Sequence, residues 1–151
     1  MGIFENYTLA SAQISKSIKK ITSIEMTEFD LKNVHVSCIY YLYKRNKLTS
    51  KELIYLCNED KAAISRGLDQ LKKKGYVKSE VASKIRRYKK NFLLTDEGIT
   101  IGEKIASKVD KIIKVAKYGV KDEELDSFYR ILSIIANNLQ RHSDELEDKL
   151  V

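Results

Sequence analysis

The chain has 151 residues, which is room for one compact domain and excludes a large multi-domain enzyme. Its 28 Lys and Arg residues outnumber 21 Asp and Glu, and the net charge of +7 predicts attraction to polyanions such as nucleic acid or an acidic membrane surface. At 43% hydrophobic and 32% charged residues, and with no apolar run of about 18 residues, we expect a folded, soluble protein without a membrane span.

The chain contains no proline, so long helices are the default expectation. Its two cysteines, Cys38 and Cys57, are too few for a disulfide framework, and the first residues lack the basic and apolar regions of a secretory signal. These features predict a protein of the reducing cytoplasm.

Helical spacing dominates the first third of the chain. Residues 5–24 form an amphipathic helix whose apolar stripe needs a partner surface, and a buried helix is predicted over Val34–Tyr43. The stripe of the first helix consists of Tyr7, Ile14, Ile18 and Ile21.

Capping signals then indicate two consecutive short helices. Thr49-Ser50-Lys51-Glu52 is a capping box that begins a third helix, and Asp60 is a good N-cap for a fourth. The inner face of the fourth helix is Ile64, Leu68 and Leu71, and Gly75 suits the position after its end.

The pattern changes to strand-like over residues 76–94, where we predict a two-stranded hairpin with a basic tip. Thr95 caps a fifth helix that ends at Gly119, and a last helix begins near Asp122. The last helix carries a regular apolar seam of Leu125, Phe128, Leu132, Ile135 and Leu139. Such a seam needs a partner helix, so we expect the terminal helices to dimerise.

The positive charge is confined to one segment. Residues 61–90 hold eleven Lys and Arg against two acidic residues, a local charge of +9, while the remainder has 17 basic and 19 acidic residues and a charge of −2. A helix-turn-helix followed by a basic hairpin is typical of DNA binding, in which the second helix enters the major groove and the hairpin contacts phosphates or the minor groove.

Candidate DNA contacts follow from this arrangement. On the fourth helix, Arg66 can pair with guanine, Gln70 with adenine, and Ala62 can touch a thymine methyl group. The complete predicted set is Thr49, Ser50, Lys61, Ala62, Ser65, Arg66, Gln70, Lys84, Arg86 and Arg87. The alternatives are a solvated helix surface and a charged hairpin edge that prevents aggregation.

Three stretches carry a family resemblance: Leu48–Leu53, Asp60–Val77 and Leu94–Gly98, the last reading Leu-Thr-Asp-Glu-Gly. With these motifs the chain resembles the MarR/SlyA family of winged-helix bacterial transcriptional regulators. The resemblance implies a mainly α fold with a winged helix-turn-helix lobe (residues 34–95) between an N-terminal dimerisation helix (1–33) and C-terminal dimerisation helices (96–151).

The resemblance also implies function. Members of this family bind pseudo-palindromic double-stranded DNA as homodimers, usually repress transcription, and release DNA when a small aromatic or anionic effector binds between the dimer region and the winged lobe. Family wings usually carry Asp-x-Arg near the tip, whereas this chain has Lys84-Ile85-Arg86-Arg87-Tyr88. This stretch has no acidic residue to mark one of the arginines, so the resemblance implies only that either Arg86 or Arg87 enters the minor groove.

Other chemistry is poorly supported by the sequence. We expect both cysteines to be structural, the two histidines to hold no metal, and Tyr40 and Tyr43 to be packing residues with a lesser possibility of lining an effector pocket. No catalytic constellation or cofactor motif is present, so we expect neither an enzyme nor a cofactor. Two alternatives remain: a winged-helix module that binds an acidic protein, and an architectural DNA-binding protein without an effector.

Overall fold

A computed structural model describes residues 2–81 and 90–149. These ranges contain six α-helices, one short 3-10 helix and three strands, so the predicted mainly α winged-helix fold is confirmed. The elements are α1 (Ile3–Glu25), a 3-10 helix (Thr27–Phe29), α2 (Asn33–Arg45), β1 (Leu48–Thr49), α3 (Ser50–Cys57), α4 (Lys61–Lys73), β2 (Val77–Val81), β3 (Lys90–Leu94), α5 (Asp96–Ala116) and α6 (Asp122–Asp148).

The two predicted caps define the helix-turn-helix. The Thr49 hydroxyl accepts from the Glu52 backbone N–H at 3.3 Å, and Glu52 Oε2 accepts from the Thr49 backbone N–H at 2.7 Å. Asp60 Oδ1 accepts from the Ala63 N–H at 2.7 Å and caps α4. Between the helices, Asn58 adopts a left-handed conformation with φ of 51°, which turns the chain sharply from α3 into α4.

Gly75 ends α4 as predicted. Its φ is +78°, its N–H donates to the Lys72 carbonyl at 3.0 Å, and the Tyr76 N–H donates to the Leu71 carbonyl at 3.0 Å. This pair of bonds is a Schellman motif, which satisfies carbonyls at the helix end and sends the chain into β2.

The predicted hairpin is confirmed by the antiparallel pairing of β2 with β3, and a third strand, β1, which the sequence did not predict, gives the sheet the order β1-β3-β2. Leu48 pairs with Phe92 and Thr49 with Asn91. A two-residue strand is too short for alternation to be visible in a sequence, and β1 lies directly before the capping box that dominates this stretch.

One apolar core holds the lobe together. It includes Ile39 of α2, Leu53 of α3 and Ile105 of α5, all with no exposed surface. The α4 stripe of Ile64, Leu68 and Leu71 is also buried, as predicted, and Val77, Phe92 and Leu94 add the inner face of the sheet.

Thr95 joins the end of the wing to the start of α5. Its hydroxyl accepts from the Gly98 N–H and donates to the Gly75 carbonyl, while its backbone N–H donates to the Tyr76 carbonyl at 3.0 Å. A Cβ on Gly98 would overlap the Tyr76 carbonyl oxygen, which is why glycine occupies this position.

Lys108 of α5 fixes the end of α1. Its ammonium group contacts Glu25 at 3.3 Å and Glu28 at 2.8 Å, and lies 6.0 Å from the centre of the Phe29 ring. The hydrogen bond from Lys108 lowers the pKa of Glu28 below its ordinary value. These contacts join the end of α1 and the 3-10 helix to α5.

The chain divides into two compact units, Met1–Ile112 and Ile113–Val151. The first contains the helix-turn-helix and the sheet, and the second contains the last residues of α5 and all of α6. The three-part division expected from sequence stays a prediction. Over residues 2–81 and 90–149, no helix is long and apolar enough to cross a membrane.

Candidate nucleic-acid interface

The outward face of α4 contains the residues predicted to contact bases, together with Asp69 and Lys73. Lys61, Ala62, Ser65, Arg66 and Gln70 are all exposed, whereas Ile64, Leu68 and Leu71 on the opposite face are buried. The helix thus presents a guanidinium, an ammonium, an amide and a hydroxyl group to solvent, which are the donors and acceptors that base edges require.

Thr49 and Ser50 at the start of α3 are half-buried. The Thr49 hydroxyl both accepts from the Glu52 N–H and donates to Glu52 Oε2 at 2.7 Å. Because a hydroxyl has a single proton, a hydrogen bond from Thr49 to a phosphate would have to break that contact. The capping box therefore competes with the predicted role of Thr49.

Gln70 is held in place by a buried histidine on α2. The Lys32 backbone N–H donates to Nδ1 of His35 at 3.2 Å, so the ring proton lies on Nε2, which donates to Gln70 Oε1 at 2.7 Å. Burial lowers the pKa of His35 below its ordinary value, and the nearby Lys32 and Lys74 charges add to this. His35 is 3% exposed and uses both ring nitrogens, so it orients the Gln70 amide as a neutral group.

The predicted wing residues Lys84, Arg86 and Arg87 lie outside the described residues. The stem of the wing is described by the pairing of β2 with β3, from Val77 opposite Leu94 to Val81 opposite Lys90.

Two lysines converge over an aromatic ring at the base of this stem. The ammonium groups of Lys72 and Lys90 lie 5.0 Å and 5.9 Å from the centre of the Phe92 ring. Partial burial and the neighbouring Lys90 lower the pKa of Lys72 below its ordinary value. Two like charges held together repel each other, and an approaching phosphate would reduce this repulsion.

A cleft of about 550 Å³ lies beside Gln70. Three lysines are among its lining residues, Lys32, Lys73 and Lys74, and the Lys74 ammonium group contacts the Asp30 carboxylate at 3.3 Å. The full lining is Ser23, Thr27, Asp30, Leu31, Lys32, His35, Gln70, Lys73 and Lys74.

Tyr40 and Tyr43, considered for an effector pocket from sequence, do not line this cleft. Both are half-buried against the core. The Tyr40 ring packs edge-on against Tyr41 at 5.3 Å, and Tyr43 lies close to Gly102 of α5. These are packing contacts.

The two cysteines lie together within the lobe. Cys38 of α2 is completely buried, Cys57 at the end of α3 is half-buried, and their sulfur atoms are 4.0 Å apart.

Apolar side chains remain exposed on both terminal helices. On α1, Ile14 is 54% and Ile18 48% exposed, and on α6, Phe128 is 47% and Leu139 57% exposed. Ile21 and Leu132 are also exposed, whereas Tyr7, Leu125 and Ile135 are half-buried. Each helix thus presents a contiguous apolar stripe, as the spacing predicted.

Four features of this site were missed from sequence: the His35–Gln70 bond, the lysine-lined cleft, the Lys72–Lys90 pair and the contact between the cysteines. Their members are far apart in the chain, and His35 and Gln70 are 35 positions apart. No spacing pattern signals such pairs; they become neighbours only when the helices and strands pack together.

Comparison with solved structures defines the class of fold. The chain has the winged helix-turn-helix fold of MarR-family regulators, and many solved structures of that family match it closely. A MarR-family regulator from Silicibacter pomeroyi matches with a TM-score of 0.81 and 20% identity, covering 91% of this chain and 92% of that one. No protein-family model and no curated protein sequence matches the chain.

Two further neighbours have been solved in functional states. S. aureus MepR in its DNA-binding conformation matches with a TM-score of 0.81 and 22% identity, over 88% of this chain and 98% of that one, and MepR has also been solved in complex with DNA. NadR in complex with 4-hydroxyphenylacetate matches with a TM-score of 0.76 and 16% identity, over 85% and 90% of the two chains.

We predict that His35 makes stability depend on pH. Since its folded pKa is lowered, the unfolded chain takes up the proton first as pH falls below the ordinary value of about 6.5, and the free energy of unfolding decreases with falling pH. Urea denaturation of the wild type between about pH 7.5 and about pH 5.5 should show this loss, and His35→Asn, which keeps an acceptor for the Lys32 N–H, should reduce it.

The exposed His142 provides the control, and His142→Asn should follow the wild type. Equal pH slopes in the wild type and in His35→Asn would contradict the assignment.

Proposed function

We propose that the chain is a cytoplasmic, non-enzymatic transcription regulator of the MarR type that binds double-stranded DNA. The observation that carries the proposal is the exposed face of α4: the candidate base-contacting residues share one side of a capped helix-turn-helix, within a segment of local charge +9. The shared fold with MepR, which has been solved in complex with DNA, supports it.

In the proposed complex, α4 lies in the major groove. Arg66 has the geometry to pair with guanine, and Lys61 and Ser65 contact the adjacent base edges or phosphates. Gln70 contacts adenine in an orientation set by His35, because the bond to Nε2 leaves one Oε1 lone pair and both amide protons for a base.

The wing and the paired lysines supply the positive charge that neutralises DNA phosphates. Arg86 or Arg87 enters the minor groove, and Lys84 contacts phosphate. Lys72 and Lys90, which the sequence prediction did not include, strengthen the positive field at the base of the wing. Binding that neutralises several phosphates in this way falls steeply with salt.

We further propose that the chain acts as a homodimer. The exposed apolar stripes of α1 and α6 support this, because contiguous apolar patches of this kind are usually covered by a partner. Two symmetric lobes would bind two half-sites, so the operator is pseudo-palindromic. Repression is the proposed outcome when the operator overlaps a promoter.

An anionic effector fits the lysine-lined cleft. Lys32, Lys73 and Lys74 provide three positive charges against the single carboxylate of Asp30. Gln70 and Lys73 belong to the helix that would contact DNA, so an anion bound between them and the 3-10 helix can shift α4. NadR, a neighbour in fold, has been solved with an aromatic carboxylate, 4-hydroxyphenylacetate.

We predict that Arg66→Ala weakens binding to a duplex from the DNA upstream of the chain's own gene. Losing a bidentate contact to guanine costs about 1–3 kcal/mol, or about 5- to 150-fold in affinity. Fluorescence anisotropy at about 150 mM salt measures the change. Arg141→Ala, an exposed arginine on α6, is the matched control and should bind like the wild type.

The same assay separates the alternatives. Unchanged affinity in both Arg66→Ala and Arg87→Ala would contradict DNA binding and favour a lobe that binds an acidic protein. DNA binding that no carboxylate or phosphate ligand relieves would favour an architectural protein.

The dimer is tested with a charge in the α6 seam. Leu132→Asp places a carboxylate in the proposed interface and should convert the dimer to monomer, because an unpaired buried charge is strongly unfavourable. Light scattering after size exclusion measures the mass. Ser127→Asp, on the same helix but off the seam, should leave the dimer intact, and a dimer that survives Leu132→Asp would exclude this seam.

The cleft is tested by calorimetric titration with 4-hydroxyphenylacetate and with inorganic phosphate. If the cleft binds anions, Lys73→Gln should lower affinity about 5- to 10-fold by removing one charged hydrogen bond. Lys111→Gln, an exposed lysine on α5, is the control. Equal affinity in the two variants would place the anion elsewhere.

A further inference from the structure

Two thiols meet at the point where α3 ends. The Cys38 and Cys57 sulfur atoms are 4.0 Å apart, although the residues are 19 positions apart in the chain. Cys38 has no exposed surface, whereas Cys57 is partly open to solvent. The pair therefore joins a fully buried cysteine to one that keeps part of its surface in solvent.

The two thiols differ in acidity. A hydrogen bond from the Cys38 thiol stabilises a thiolate on Cys57 and lowers the pKa of Cys57, against the opposing effects of burial and Glu59. The same bond, together with burial, raises the pKa of Cys38. Since the thiolate is the nucleophile, Cys57 reacts first and Cys38 retains its proton until later.

We propose that Cys57 and Cys38 form an oxidation site for small hydroperoxides, with Cys57 as the attacking thiol and Cys38 as the resolving thiol. The Cys57 thiolate attacks the peroxide, the O–O bond breaks, and the products are a Cys57 sulfenic acid and an alkoxide that takes a proton to become an alcohol, or water from hydrogen peroxide. Cys38 then attacks the sulfenic sulfur; its proton leaves with the hydroxide as water, and a disulfide forms. In total, two thiols and one hydroperoxide give one disulfide, one alcohol and one water.

Formation of the bond must draw the two side chains together at the end of α3. The sulfur atoms have to approach from 4.0 Å to about 2.05 Å, and Cys57 is the last residue of α3. It is followed by Asn58, which is in a left-handed conformation, and then by Glu59 and the α4 cap Asp60. A disulfide here pulls the end of α3 toward α2 and alters the turn into α4. Its effect on DNA binding rests on the proposed function, whereas the chemistry of the thiols does not.

The test treats the reduced full-length protein with hydrogen peroxide and maps its peptides without reduction. We expect a linked Cys38–Cys57 peptide that is two hydrogens lighter than the sum of its parts, loss of both free thiols, and full reversal by dithiothreitol. Cys38→Ala should stop at a Cys57 sulfenic acid that dimedone traps, and Cys57→Ala should leave Cys38 reduced.

The order of reaction can also be measured on the wild type, so this part of the test does not require a variant to fold. Brief alkylation with iodoacetamide should label Cys57 well before Cys38. Three results would overturn the proposal: sulfenic or sulfinic acid accumulating on wild-type Cys57 without a cross-link, a disulfide between two chains instead of within one, or faster alkylation of Cys38.

The consequence for DNA is measured separately by anisotropy on the upstream duplex. The oxidised wild type should bind at least about fivefold more weakly than the reduced protein, about 1 kcal/mol, and Cys57→Ala should bind equally with and without peroxide. Equal binding of reduced and cross-linked protein would overturn the link to DNA. Failure of the reduced protein to bind at all would overturn the proposed function and leave the peptide result standing.

Discussion

The burial of one stripe of α4 is the contact on which the rest of the lobe depends. Ile64 and Leu71 have no exposed surface, and they pack between α2, α3 and the sheet. A helix buried along a single stripe must present its other face to solvent, so hydrophobic packing places Arg66 and Gln70 on the solvent side of α4. The polar face therefore lies on a helix that the core holds in place.

The positive charge of the chain is concentrated around this face. The segment that holds α4 and the wing carries +9, while the remainder of the chain is slightly acidic at −2. A diffuse membrane attraction would favour basic residues spread over several elements. Here they are concentrated around one helix and one hairpin, and two of them, Lys72 and Lys90, are held close together despite their repulsion. An anion placed beside these two ammonium groups would reduce their repulsion.

Patterns among neighbouring residues predicted most of the fold, whereas contacts between residues far apart in the chain became visible only in the structure. Caps such as Asp60 and Gly75 act within a few residues of themselves, and helical stripes repeat within a single element, so both are visible in one sequence. Strand β1 has two residues and no period, and the contacts of His35 and Cys38 depend on where α2 packs. The exposed polar face of α4 was predictable because it is the complement of the buried stripe, and the cleft was not, because two distant stretches of the chain, 23–35 and 70–74, line it.

The contacts of Thr95 have a consequence for how such a protein can diversify. Its backbone and hydroxyl bond to the carbonyls of Tyr76 and Gly75, so the two ends of the wing are tied together independently of the residues between the strands. Closing a longer loop between fixed ends adds little entropic cost, about 0.6 kcal/mol for each doubling of length. The segment between β2 and β3 can therefore be lengthened, shortened or exchanged with little effect on the folding of the lobe. The sequence of this segment can therefore change in evolution or by engineering while the rest of the lobe stays the same.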